Sequence, residues 1–356
     1  MANIDLFTPR TMLPMVQEAT KRNPTWLRDT FFRGRQTFNT PTVEFDVIGR
    51  EGREMAAFVN PDMPGEAVQR HPYRTKTFKA PELSPLMITT AEDGFIRMPG
   101  EELYSNRDPM QRVAAQLGRD LARLDEMITR REEAMCAEAI FTGKIVVKGV
   151  GYNETIDFWG DLEEGDKPST TLTKKWDSEG TTAKDIAQDL RTAALAMYQQ
   201  GGFEPSMVIV GREVIDVLLN KLSDAAIFDT RRVNLGQIDP TPLPNGVKRW
   251  GYLKDSGLEL YTYNNWKVGD DGEETAMVPP KGVVLVDPNA EAMIAYGACS
   301  CVDTTNGVSI VAGSRVPSSW VQFRNPTGRV LQLKSRPLPI IKQVYGFHVI
   351  NAMTED

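Results

Sequence analysis

The first hundred residues of this 356-residue chain contain few segments that could form a core of their own, and a long amphipathic helix is predicted to follow them. Residues 1–40 hold six Lys or Arg side chains, three acids, and prolines at positions 9, 14 and 24. A short helix is predicted over residues 11–22, with Pro14 in its first turn. A self-contained enzyme seldom begins with so much chain that cannot pack on itself, so this organisation favours assembly over catalysis.

The apolar side chains of residues 1–40 are too numerous for a free tail. Burying apolar area is the dominant favourable term in folding and in most association, yet no nearby segment offers a matching face. We therefore predict that these side chains anchor the chain on another surface. They are Phe7, Met12, Leu13, Val16, Trp26, Leu27, Phe31, Phe32 and Phe38.

A long protruding hairpin is predicted next. Residues 42–48 alternate between apolar and polar side chains, as a half-exposed strand does. Residues 73–80 are rich in the Thr and Phe that strands favour. The intervening residues 49–72 are punctuated by Gly and Pro, and a loop this long inside a compact domain is unusual. A functional extended loop is the better interpretation.

The long helix is predicted to begin at Asp108 as N-cap and Pro109 as first helical residue, and to continue to Phe141. Apolar residues recur in it at steps of three and four, and Gly143 supplies a C-cap. Arg131 falls on the apolar stripe, which argues against a continuous coiled-coil seam. A surface helix that packs on a sheet is therefore predicted.

The remaining sequence predicts an α+β or α/β domain with its own core. Helices are predicted over residues 182–199 and 212–222, and a buried strand over 207–210. A polar linker is predicted over residues 160–182. Further strands are predicted at 145–147, 155–159, 257–263, 282–286, 320–323 and 329–333. Residues 337–339, Pro-Leu-Pro, are predicted to break the C-terminal strands, before another strand within residues 344–350.

Composition narrows the function classes. The net charge of −7 argues against a dedicated nucleic-acid binder, although it leaves room for a protein that encloses nucleic acid without gripping it. Three cysteines cannot build a disulfide framework. No apolar run approaches the roughly 20 residues that span a bilayer, and the N-terminus shows no secretion signal. Reduced thiols in the cytoplasm, with no membrane partner, are expected.

No catalytic, nucleotide-binding or metal-binding motif is complete in this sequence. Lys144 follows Gly143 but lacks the remainder of a P-loop. Cys299 and Cys301 have the wrong spacing for a zinc knuckle, so both are predicted to be small core residues on one strand face. The acidic stretches 161–166 and 270–274 lack the pattern of a calcium loop. We predict no catalytic, cofactor-binding or metal-binding residues.

Several segments, in this order and spacing, resemble the phage lambda-type major capsid (head) protein family across nearly the whole chain. They are Trp26-Leu27-Arg28, Phe31-Phe32-Arg33, Ala56-Ala57-Phe58-Val59-Asn60-Pro61, Gly65-Glu66, Phe228-Asp229-Thr230-Arg231-Arg232, Tyr296-Gly297-Ala298-Cys299 and Pro317-Ser318-Ser319-Trp320. The resemblance implies the Hong Kong 97-type phage capsid fold.

The resemblance also implies a domain division. Residues 1–40 would be an N-terminal arm, 41–80 an extended loop, 81–181 with 316–356 a peripheral domain, and 182–315 an axial domain. The spine helix would cover about 109–141. Arm and loop would lie over adjacent subunits, which makes their residues Phe7, Trp26, Phe31, Phe32, Phe58 and Asn60 candidates for inter-subunit contacts. Arg231 and Arg232 of the axial domain are two further candidates.

The function implied is a shell protein that forms hexamers and pentamers around a phage DNA genome, in the virion, after assembly in the bacterial cytoplasm. Arm-like sequence begins at once, so a separate scaffolding protein is expected. A portal and a decoration protein are further implied partners, and no covalent cross-link is predicted. Two alternatives stand beside it: an encapsulin-like cellular compartment, and an intracellular enzyme with its site in residues 182–315.

Overall fold

The computed structural model describes residues 25–47, 58, 74–90, 109–149, 151–160, 162–222, 241–253, 256–269, 272–303, 307–323 and 327–354. Its helices are α1 (Trp26–Phe31), α2 (Pro109–Thr142), α3 (Ala183–Gly201) and α4 (Arg212–Leu222). The helix predicted over residues 11–22 lies outside the described residues. Within these ranges no helix is both long and apolar enough to cross a membrane.

The strands are numbered here in chain order. They are β1 (Gly34–Thr37), β2 (Thr42–Val47), β3 (Arg74–Lys79), β4 (Leu86–Thr90), β5 (Lys144–Gly149), β6 (Tyr152–Asp157), β7 (Ser169–Thr171), β8 (Met207–Val210), β9 (Thr241–Pro242), β10 (Val247–Leu253), β11 (Leu258–Tyr263), β12 (Trp266–Val268), β13 (Glu274–Ala276), β14 (Val283–Val286), β15 (Ala292–Tyr296), β16 (Cys299–Asp303), β17 (Gly307–Val311), β18 (Val316–Gln322), β19 (Gly328–Lys334), β20 (Pro337–Ile341) and β21 (Phe347–Asn351).

A seven-stranded mixed sheet has the strand order β7-β21-β14-β8-β11-β10-β9. Alternate residues of its strands point to opposite faces. Val208 and Val210 enter a core with helices α3 and α4, whereas Ile209 between them enters the main core on the other face. The C-terminal strand β21 pairs with β14 in this sheet, so the sheet draws on both proposed domains.

Helix α2 confirms the predicted long helix and joins two packing regions. It has 34 residues, so it is roughly 50 Å long. Leu121 and Leu124 in its N-terminal half pack with Leu331 and Leu333 of β19, which belongs to the antiparallel sheet β18-β19-β4. Its C-terminal half lies in the main core with α1, β14, β15, β20 and β21. The helix therefore packs on sheets, as predicted.

The end of α2 depends on one glycine. Gly143 has a φ of +66°, in the left-handed region that side chains with a Cβ disfavour. A Cβ at this position would also overlap the indole ring of Trp159. The chain then turns directly into the hairpin β5–β6, whose strands were predicted on either side of residues 149–153.

The base of the predicted extended hairpin is present. Strands β2 and β3 pair antiparallel, from Thr42 opposite Lys79 to Val47 opposite Arg74. Of the residues between them, the described part of the chain includes only Phe58, which is fully exposed. The two strands form a separate two-stranded sheet, and Val43 near its base is buried in the main core.

The predicted break at residues 337–339 is wrong, because these residues lie inside strand β20. Gly297 donates its backbone N–H to the carbonyl of Arg336 at 2.9 Å, which sets the phase of the β15–β20 ladder. The nitrogen atoms of Pro337 and Pro339 consequently point away from β15. Since β20 is the edge of the sheet β1-β15-β20, these prolines cost no ladder bond.

Two other segments refine the predictions. The polar residues 160–182 include the short strand β7 and the fully buried Trp176, so part of this linker belongs to the fold. Cys299 and Cys301 are both buried and form a small core cluster with Val316. Their predicted role as core residues on one strand face is confirmed.

Candidate assembly site at the base of the N-terminal arm

Helix α1 is held at its N-terminus by a carboxylate from α2. The first amides of a helix have no partner inside that helix. The backbone N–H groups of Leu27 and Arg28 donate to the two carboxylate oxygens of Glu133, each at 2.9 Å. Glu133 lies more than a hundred residues further along the chain, so this contact fixes the position of α1 against α2.

An aromatic cluster holds the other side of α1. The ring of Trp26 lies 5.7 Å from Phe31, 5.9 Å from Tyr261 and 5.6 Å from Tyr263. Phe31 also meets Phe347 at 6.1 Å, nearly edge to face. Such pairs contribute beyond the apolar area that they bury. The short helix is thereby packed against the seven-stranded sheet as well as against α2.

A buried charge network surrounds the contact between α1 and α2, which is called the joint below. The Arg28 guanidinium donates to Glu132 at 2.9 Å, and Arg315 donates to the same carboxylate at 2.6 Å. Arg315 also lies 2.5 Å from Asp125 and donates to the hydroxyl of Thr129 at 3.0 Å. Glu132 has no exposed side-chain surface. Three segments distant in sequence therefore meet at one carboxylate.

Burial and pairing set the charges of this network. Burial lowers the pKa of the Arg315 guanidinium, but Glu132 and Asp125 outweigh it and leave the pKa above its usual value. Burial raises the pKa of Glu133, although the amides of Arg28 and Leu27 oppose the rise. The carboxylates are occupied by arginine and amide donors, which suits a structural joint.

The structure brings three of the predicted contact residues together. Phe31 and Phe32 are buried in the main core of their own chain, and Trp26 is partly buried beside them. Phe58 is fully exposed. Phe7, Asn60, Arg231 and Arg232 lie outside the described residues.

The charge network was missed from the sequence, although a signal for it exists. Glu132 and Glu133 interrupt the apolar side of α2, between Ile128 and Met135. Acids that fall on a buried helix face need specific donors. Arg131, which had drawn attention on the same stripe, is exposed instead.

A second candidate surface lies on the sheet β18-β19-β4. The register places Ile88, Val330 and Trp320 in one cross-strand row on the face opposite the one that covers α2. Ile88 is 41% exposed and Trp320 is 37% exposed, whereas Val330 between them is buried. Phe323, one residue past the end of β18, is 85% exposed. Within the described ranges, no three His, Cys, Asp or Glu side chains are arranged to hold a metal ion.

The sequence matches the phage major capsid protein E family over residues 8–347, which is nearly the whole chain. The chain belongs to this family. The fold just described is the Hong Kong 97-type capsid fold, and the predicted resemblance is confirmed. The chain is a phage major capsid protein, part of the virion, in a family that assembles multi-subunit shells.

Individual phage and prophage proteins are similar to this chain over nearly their full length. The major capsid protein of Enterobacteria phage phi80 is 22% identical, over 97% of this chain and 98% of that protein. A crystal structure described as a prophage capsid protein from E. coli CFT073 is 23% identical, with a TM-score of 0.69 over 97% of this chain and 99% of that one. A phage-related protein from Bordetella bronchiseptica RB50 is 12% identical, with a TM-score of 0.54 over 98% of both chains.

Proposed function

We propose that this capsid protein assembles into hexamers and pentamers that close into an icosahedral head shell around the phage DNA. The observation that carries the proposal is the set of exposed apolar side chains at the sheet β18-β19-β4: Ile88 and Trp320 on one face, and Phe323 just past the end of β18. Monomeric soluble proteins rarely expose large contiguous apolar patches. Subunits of a closed ring bury such surfaces in heterologous contacts.

Arm and loop complete the subunit in this proposal. Residues 1–40 form the arm, whose base is fixed by Glu133, and residues 41–80 form the extended loop that lies over a neighbouring subunit. The exposure of Phe58 supports a contact made by the loop. Phe7, Asn60, Arg231 and Arg232 contribute further contacts between subunits. Trp26, Phe31 and Phe32 contribute indirectly, because they hold the arm's base in its own chain.

The domain division and the partners are part of the same proposal. Residues 81–181 with 316–356 form the peripheral domain, and 182–315 form the axial domain. Assembly takes place in the bacterial cytoplasm with a separate scaffolding protein and a portal, and a decoration protein can bind the finished shell. The role is structural, without catalysis. The net charge of −7 suits a wall that encloses DNA without binding it by sequence.

Deletion of residues 1–24 tests the role of the arm. This variant keeps Thr25, whose hydroxyl donates to Asp29 at 2.6 Å at the start of α1. We expect circular dichroism and thermal unfolding to show the same folded core as in the full chain. Sedimentation velocity of the variant co-expressed with a scaffolding protein should show loss of closed shells. Normal shells from the deletion variant would contradict a role for the arm in assembly.

A further inference from the structure

A groove of about 1110 Å³ lies beside the hairpin β5–β6. It is lined by residues 145–149 of β5 and by residues 79–84, which are the end of β3 and the connection after it. Arg131, Met135 and Glu138 of α2 form its floor, at the spacing of one helix face. A groove lined by two stretches of consecutive residues can place an extended chain beside backbone groups.

The groove runs along the free edge of β5. Successive side chains of a strand point to opposite faces, so a wall made of five consecutive residues is an edge. Strand β5 pairs only with β6 among the described residues. The N–H of Phe158 donates to the carbonyl of Gly143 at 2.9 Å, which sets the ladder phase. The alternation of an antiparallel ladder then directs the backbone groups of Val146 and Lys148 into the groove.

The groove is cationic. Lys79, Arg131, Lys148 and Arg336 line it, together with two carboxylates. Glu82 is paired with Arg336, and Glu138 is paired with Lys267 at 3.0 Å. Lys79 and Lys148 form no ion pair with any described residue. An extended segment with carboxylates would therefore find both backbone partners and opposite charge here.

We propose that an acidic segment of a second copy of this chain, within residues 91–108, binds in this groove as a strand added to β5. This inference rests on the proposed assembly. Residues 91–108 carry five carboxylates and two arginines, and their apolar residues suit the floor around Met135. The carboxylates are Glu92, Asp93, Glu101, Glu102 and Asp108, and the apolar residues are Phe95, Ile96, Met98, Leu103 and Tyr104. Strand addition of this kind takes affinity from the backbone and specificity from side chains.

Helix geometry favours a second copy over the same copy. Residues 91–108 are followed by Pro109, the first residue of α2. The groove contacts α2 only from Arg131 towards the C-terminal end of the helix. These two points of α2 are about 33 Å apart at the rise of an α-helix. A segment of the same copy would have to leave β4, enter the groove and return over that distance. A neighbouring copy meets no such constraint.

Peptide binding to the full chain tests the groove. A fluorescein-labelled peptide of residues 91–108 should show saturable binding by anisotropy. Val146→Pro should weaken it about tenfold, because it removes an edge N–H that the β5–β6 ladder does not use. Thr155→Pro is the matched control: it lies opposite Val146 and alters only the other edge of the hairpin. Absent binding, or equal binding by both proline variants, would overturn the proposal.

Charge reversal supplies an independent variant. Lys79→Glu with Lys148→Glu should weaken peptide binding at least tenfold and abolish most of its salt dependence. Lys184→Glu, on the exposed face of α3, should leave it unchanged. Equal losses in the groove variant and the control variant would overturn the electrostatic part of the argument and with it the assignment of the site.

Carbodiimide cross-linking of shells built from mixed ¹⁴N and ¹⁵N chains identifies the donor copy. Mixed-isotope links from Lys79 or Lys148 to carboxylates of residues 91–108 are expected. Exclusively same-isotope links would overturn the claim of a second copy. If native shells form and the Val146→Pro variant assembles and binds peptide normally, the groove inference fails while the proposed function stands. If no native shells form, the proposed function fails, and peptide binding still tests the groove.

Discussion

The Nη1 atom of Arg315 lies 2.6 Å from the Oε1 atom of Glu132, although the two residues come from opposite halves of the chain. The other carboxylate oxygen of Glu132, Oε2, lies 2.9 Å from the Nη1 atom of Arg28. Buried ion pairs add little net stability compared with apolar packing, but removing one partner leaves an uncompensated charge. The network therefore makes α1, α2 and the residue before β18 dependent on one another.

Glu132→Gln should destabilise the folded chain by about 3–5 kcal/mol, since two buried arginines lose their shared counter-charge. Urea unfolding followed by tryptophan fluorescence measures this. Glu138→Gln is the control on the same helix, because Glu138 is 32% exposed and its pairing with Lys267 is worth less than about 1 kcal/mol. Similar losses in both variants would contradict the special role of Glu132.

Leu121→Asp should prevent the chain from folding in soluble form. Leu121 has no exposed surface and packs between α2 and β19, so an aspartate there buries an unpaired charge at a cost of several kcal/mol. Met127→Asp, six residues further along, should be tolerated because Met127 is 54% exposed. The soluble fraction after expression provides the measurement, and a soluble, shell-forming Leu121→Asp variant would disprove the packing of this helix.

Gly143→Ala should lower stability by about 1–3 kcal/mol through the left-handed backbone alone, with a further loss from the overlap with Trp159. Gly149→Ala is the control at the far end of β5, where an added Cβ meets no atom within 4 Å. Thermal unfolding of the two variants should separate them clearly. Equal melting temperatures would mean that Gly143 is not required to end α2.

His348 should make the chain sensitive to mild acid. Burial lowers its pKa to about 4, from the usual value near 6.5. Between these values the unfolded chain binds a proton that the folded chain does not, so stability falls as pH drops from 6.5 towards 4, by up to about 3 kcal/mol. His348→Gln should remove this component from urea unfolding measured at pH 7 and pH 4.5. An unchanged difference between the two pH values would contradict it.

Local sequence signals predicted much of the fold because they are complete within a few residues. The predicted N-cap at Asp108, the proline after it and the predicted C-cap at Gly143 set the expected limits of α2. The helix is observed from Pro109 to Thr142. Thr182 was predicted to start the next helix, and it does so through a reciprocal capping box with Asp185. A continuous apolar run was also sufficient to predict the buried strand β8.

The errors have a different origin, because they depend on long-range pairing. Pro337 and Pro339 are compatible with a strand only at an edge, and the sequence does not reveal which strand will be an edge. The joint at Glu132 required residues from three distant segments, so no local pattern could assemble it. Only the interruption of an apolar helix face by two adjacent acids could have drawn attention to it.

The most direct test of assembly is negative-stain electron microscopy of the full chain co-expressed with a cognate scaffolding protein, with size-exclusion chromatography of the chain alone beside it. We predict closed shells of uniform diameter in the first sample, and capsomers or shells in the second. A monomer of 39.7 kDa in both samples would contradict the account.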